Sequence, residues 1–110
     1  MGAVLVISRF RYDEGATDRA RDELGVCLDQ LGRCAGFVDG TVGRAVDDPT
    51  LWLLHTRWDN VGSYRRALST YDVKVAAVPL LSQALDEPSA YEIVLGEGAT
   101  ELNESQPRRL

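Results

Sequence analysis

Trp58 and Tyr64 are the side chains in this sequence best suited to chemistry. They stand where an apolar run, LWLLHTRW, gives way to DNVGSY. Tryptophan offers a large apolar wall, and tyrosine adds a hydroxyl. Together they could line a pocket. Equally, they could form a core wedge, with the indole N–H and the phenol O–H satisfied by near neighbours. His55 is the one histidine, the residue type most used as a proton carrier. Strand alternation sets it on the face opposite Trp58, together with Arg9, Arg57 and Glu92. Such a cluster could supply a catalytic base. It could also be an ion and hydrogen-bond network where two subunits dock. The second reading is adopted, because buried charges demand partners.

Cys27 and Cys34 are the only cysteines. On one helix they would lie about two turns apart, roughly 10 Å along the axis, too far for a disulfide. With a single histidine, a Cys/His metal site is poor arithmetic, so no metal is expected. The two thiols read as small core residues.

These side chains need elements to position them. Residues 3 to 12, AVLVISRFRY, form a strand that is apolar on both faces at its start and therefore central. From Asp18 to about Arg33, Ala20, Leu24, Cys27, Leu28 and Leu31 recur at helical spacing, with Thr17 as the expected cap. Gly25 and Gly32 weaken this helix. Residues 37 to 46 form a second strand whose internal glycines suggest a bulge or a close backbone approach. Asp47, Asp48 and Pro49 turn it into the strand 51–58. Asn60 can cap the helix that runs to about Leu68. A further helix is expected from Asp72 to Val78, with one or two turns beginning at Pro79. Asp86, Glu87 and Pro88 close that region, and residues 89 to 95 are the last strand.

The order βαββαβ predicts a ferredoxin-like α+β fold: a four-stranded antiparallel sheet with the helices on one face. The bare face carries Leu5, Ile7, Leu51 and Leu53, which calls for a partner. A second copy packed sheet to sheet would cover it, giving a homodimer. A domain of 110 residues gains core from such pairing. The reading is one domain over residues 1–95 and a polar tail over 96–110, whose composition is that of a chain with little to bury.

A net charge of -5 argues against nucleic acid, which needs a basic patch. No apolar run approaches a membrane span, and the first residues lack the pattern of a signal peptide. A cytoplasmic protein is expected.

The segments ISRF (7–10), AGFVDG (35–40), HTRWDN (55–60) and SAYEIV (89–94) resemble the antibiotic biosynthesis monooxygenase family of dimeric α+β barrels. The resemblance covers residues 3 to 95. It implies a homodimer and a pocket in each subunit between sheet and helices. It also implies cofactor-independent oxidation of a small aromatic or quinol-type molecule, or else a non-catalytic ligand-binding module. Trp58 matches the family's tryptophan at the end of the third strand, and Tyr64 a pocket tyrosine of the polyketide-oxidising members. They are the implied catalytic pair, with Ser8, Phe10, Thr56 and Leu68 as substrate-binding residues. The haem-degrading members carry an asparagine and a histidine where this chain has Ser8 and Leu68, so haem degradation is not expected. Two further polar positions of the polyketide oxidisers fall on Leu54 and Val78.

Overall fold

The computed structural model describes residues 2–99. Its elements, in chain order, are β1 (Val4–Arg11), α1 (Thr17–Gly32), β2 (Phe37–Arg44), β3 (Leu51–Trp58), α2 (Val61–Leu68), α3 (Tyr71–Ala76), α4 (Val78–Leu81) and β4 (Ala90–Glu92). The strands form one antiparallel sheet in the order β2-β3-β1-β4. This is the ferredoxin-like α+β fold that the sequence predicts, with β1 and β3 at its centre.

The two central strands pair over their full length, from Val4 opposite Trp58 to Arg11 opposite Leu51. Their alternation decides the core. Val4, Val6, Ser8 and Phe10 of β1, and Trp52, Leu54, Thr56 and Trp58 of β3, are buried on the helix side. Ala20, Leu24, Cys27 and Leu31 of α1 pack against them. The outer face presents Leu5, Ile7, Leu51 and Leu53, each half-buried.

Several local details differ from expectation. Thr17 is the first residue of α1 rather than its cap; Ala16 holds the cap position and makes no side-chain cap bond. Asp72 lies in the first turn of α3, preceded by Thr70 at the cap. Pro79 sits within the first turn of α4, where its missing N–H costs nothing. The β2 bulge falls at Val38, between Phe37 and Asp39, and not at a glycine. Gly40 instead marks a close approach: a Cβ there would lie 2.5 Å from Leu28 Cδ1 and 2.9 Å from the His55 carbonyl. β2 ends at Arg44, short of Val46. β4 is only Ala90–Glu92, because Ile93 already reaches Ala3, one residue before β1 begins. Most of the expected polar tail, residues 100–110, lies outside the described residues.

Candidate functional site

The β3–α2 junction holds the aromatic pair in place. Asn60 caps α2, its side chain accepting from the Ser63 N–H at 2.9 Å. The Ser63 hydroxyl donates to Asp59 at 2.7 Å, and the Asp59 N–H donates to the Gly36 carbonyl at 2.9 Å. This ties β3, α2 and the start of β2 together. Tyr64, one residue beyond Ser63, packs on Trp58 with ring centroids 5.5 Å apart, and Phe37 meets Trp58 edge-on at 5.3 Å.

The two aromatics differ in what remains free. Trp58 is fully buried, and its indole N–H donates to Thr56 at 2.9 Å. Thr56 and Phe10 are buried as well. These three expected pocket residues are core, and none of them lines the pocket beside Tyr64. Tyr64 is only partly buried, and its hydroxyl has no hydrogen-bond partner among the described residues. Burial, and to a lesser extent the neighbouring Cys27 thiol, raises its pKa. The phenol therefore stays protonated and can donate to an oxyanion. Leu68 is half-buried beside the core.

Tyr64 lines a pocket of about 320 Å³ along the β1 edge that β4 leaves uncovered. Ser8 lines it too, and the Ser8 hydroxyl likewise has no partner among the described residues. The remaining wall comes from the stretch between α4 and β4, including Asp86, Glu87 and Ser89. That stretch is anchored to β1 by backbone bonds, Leu85 N–H to the Arg9 carbonyl at 2.8 Å and Ile7 N–H to the Ser89 carbonyl at 2.7 Å. A bidentate ion pair adds to them: Arg9 Nε and Nη2 each donate to Glu87 at 2.7 Å. This pair lowers the Glu87 pKa and raises that of Arg9, chiefly through the hydrogen bonds. Sequence reasoning placed Asp86 and Glu87 in a closing turn and missed them as pocket residues. No local pattern reports a contact between positions 9 and 87.

The structure does not gather Arg9, His55, Arg57 and Glu92 into one cluster. His55 pairs with Ile7, and Arg57 with Leu5, so both share the outer face with Arg9. But Arg9 turns to Glu87, and Arg57 donates to Asp39 at 2.7 Å. Arg57 Nε is buried without a partner among the described residues. Glu92 registers opposite Val4, whose face packs on the helices; Tyr91, opposite Leu5, takes the position expected for it. Among the described residues no group of His, Cys, Asp and Glu converges to hold a metal ion, and no helix is long and apolar enough to cross a membrane.

A ferredoxin-like domain with a tyrosine-lined pocket at the sheet edge thus defines the class. The particular family follows from the sequence: the chain belongs to the antibiotic biosynthesis monooxygenase family, whose model matches residues 3–78. Solved structures share the fold. SnoaB, a cofactor-independent oxygenase from Streptomyces nogalater, is similar with a TM-score of 0.74 at 21% identity, over 88% of this chain and 98% of SnoaB. A conserved protein from Methanosarcina mazei is similar with a TM-score of 0.67 at 19% identity, over 83% of this chain and 92% of that one. No curated protein matches the sequence significantly.

Proposed function

We propose that this protein is a cofactor-independent monooxygenase acting on a small aromatic or quinol-type molecule in the pocket beside Tyr64. The observation that carries the reading is Tyr64, whose hydroxyl has no partner among the described residues and whose ring, backed by a sealed aromatic core, lines a pocket of ligand size. Family membership and the likeness to SnoaB support it.

The chemistry asks little of the protein. An electron-rich substrate loses a proton to give a delocalised anion, which passes an electron to O2. The two radicals combine, and a ring CH2 becomes a carbonyl or, in a quinol, a ring C–H becomes C–OH as the ring passes to the quinone level. One oxygen atom enters the product; the other leaves as water with two hydrogens of the substrate. The substrate supplies all four electrons that reduce O2. A neutral donor aimed at the substrate oxygen stabilises the anion in a site of low polarity, and a raised pKa keeps Tyr64 in that donor form. Trp58 touches no substrate in this scheme. It is a positioning residue that fixes the Tyr64 ring.

The active form is a homodimer built through the outer sheet face, where Leu5, Ile7, Leu51 and Leu53 would leave water. Two free cysteines suit a reducing compartment, so the cytoplasm is the proposed location.

A second reading, a non-catalytic dimeric module that binds a small ligand, draws on Phe10, Thr56 and Trp58 being filled core. Oxygen uptake separates the two. Anthrone- and hydroquinone-type compounds are tested with the wild type and with Tyr64→Phe, without added cofactor. Protein-dependent uptake that falls about a hundred- to a thousandfold in the variant is expected, a loss in keeping with removal of one oxyanion donor. Uptake no faster than the spontaneous rate would favour the binding module.

A further inference from the structure

We propose that the Tyr64 pocket selects a small, neutral, hydroxyl-bearing aromatic and discriminates against the same molecule bearing a carboxylate. This rests on the small-molecule reading above and adds its specificity.

The size of the pocket sets the first limit. At about 320 Å³ it lies at the small end of the roughly 300–1,000 Å³ range of ligand sites. The chemistry of its lining sets the second. Among the described residues no basic side chain lines it. The polar groups are the hydroxyls of Ser8, Ser82, Ser89 and Tyr64 and the carboxylates of Asp86 and Glu87. Arg9, the cation that pairs with a pocket carboxylate, is already spent on Glu87 through two bonds of 2.7 Å. Asp86 has neither a hydrogen bond nor an ion pair among the described residues. Among the described residues the lining thus carries one carboxylate without a partner, Asp86, and the unpartnered hydroxyls of Ser8, Ser89 and Tyr64, while the Ser82 hydroxyl donates to the Pro79 carbonyl at 2.7 Å.

A bound carboxylate would give up water and find no cation in return. A phenol can donate to a carboxylate of the wall and accept from Tyr64 or Ser8. The wall that carries this preference, residues 82–89, lies outside the stretch 3–78 that the family model matches.

The test is calorimetric titration of the wild-type protein under anaerobic conditions, where binding is read without turnover. The probes are naphthohydroquinone and the same compound carrying a carboxylate on its quinol ring. The neutral compound is expected to bind at least about fivefold tighter, the factor that one like charge at about 4 Å carries even in bulk water. Asp86→Asn should narrow the ratio, and so should added salt, which screens an exposed charge but leaves steric exclusion unchanged. Equal or tighter binding of the carboxylate, a ratio that neither salt nor Asp86→Asn moves, or saturable binding by neither compound would overturn the proposal. Oxygen uptake on the same pair keeps the two readings apart. Selective binding without uptake removes the oxygenase and leaves the specificity; uptake with a preference for the carboxylate does the reverse.

Discussion

One chemical change, glycine to alanine, should act in opposite directions at two positions. Gly36 has φ +89, and a Cβ there would fall on the Ser63 side chain and lie 2.6 Å from Asp59 Oδ1. Ser63 is buried and cannot swing into solvent. The Gly36 carbonyl also accepts from the Asp59 N–H. Alanine at this position strains the backbone by about 1–3 kcal/mol and overpacks the junction by about 1–3 kcal/mol. It also threatens the Ser63–Asp59 bond, worth about 1 kcal/mol. Partial relaxation leaves a net loss of about 3–5 kcal/mol, a large share of the roughly 5–15 kcal/mol available to a domain. Gly25 lies inside α1 with nothing within 4 Å of its would-be Cβ. Alanine there gains about 0.5–1 kcal/mol, because the unfolded chain loses freedom and no contact is made. Urea unfolding followed by circular dichroism reads both. With a slope of about 1–3 kcal/mol/M, Gly36→Ala should lower the midpoint by about 2 M, and Gly25→Ala should raise it slightly. A Gly36→Ala protein within about 1 kcal/mol of wild type would refute the account of the junction. So would a destabilised Gly25→Ala.

The remaining predictions concern the cap, pH and the thiols. Asn60→Ala removes the acceptor for Ser63 N–H and should cost about 1 kcal/mol in the same unfolding assay. Thr50, through its side chain and backbone, and Arg11 hold Asp48 at about 2, below the ordinary carboxylate value. The stability Asp48 contributes is therefore full above about pH 4 and fades as pH falls through about 2. In Asp48→Asn that part of the acid dependence should vanish, read from unfolding midpoints across the window. Burial pushes the Cys27 thiol up to about 11. A thiol reagent at neutral pH should label the half-buried Cys34 first and Cys27 only on denaturation, which mass spectrometry of the labelled peptides distinguishes.

The sheet centre was legible because alternation is local. Trp52, Leu54, Thr56 and Trp58 all face the core, as their spacing requires. The Asn60 cap was legible for the same reason. The sealing of Trp58 could have been read too: Thr56, two residues back on the same face, is an acceptor within reach of the indole N–H. Glu92 was misplaced because its face depends on the register of a short strand, which β1 sets across a long sequence separation. Asp86, Glu87 and Ser89 gave no signal as pocket residues. Their composition is that of any turn, and only the meeting with Ile7 and Arg9 gives them a role.

The pocket exists because the β-ladder fails at one place, and the failure can be counted. Ile7 N–H bonds the Ser89 carbonyl, and the Arg9 carbonyl accepts from Leu85 N–H. In a regular antiparallel ladder, a step of two residues on β1 would match a step of two on its partner, so residue 87 would meet Arg9. The observed step runs from 89 to 85, which leaves two residues over. With Pro88 lacking an N–H, the surplus must arch away from Ser8. The arch opens the space that Tyr64 and Ser8 face, and the Arg9–Glu87 ion pair fastens it. The stretch that carries no secondary-structure signal is thus the one that makes a cavity out of a sheet edge. By the specificity proposed above its carboxylates bear on what enters, while the well-patterned strands behind it supply the rigid wall and α2 the Tyr64 phenol.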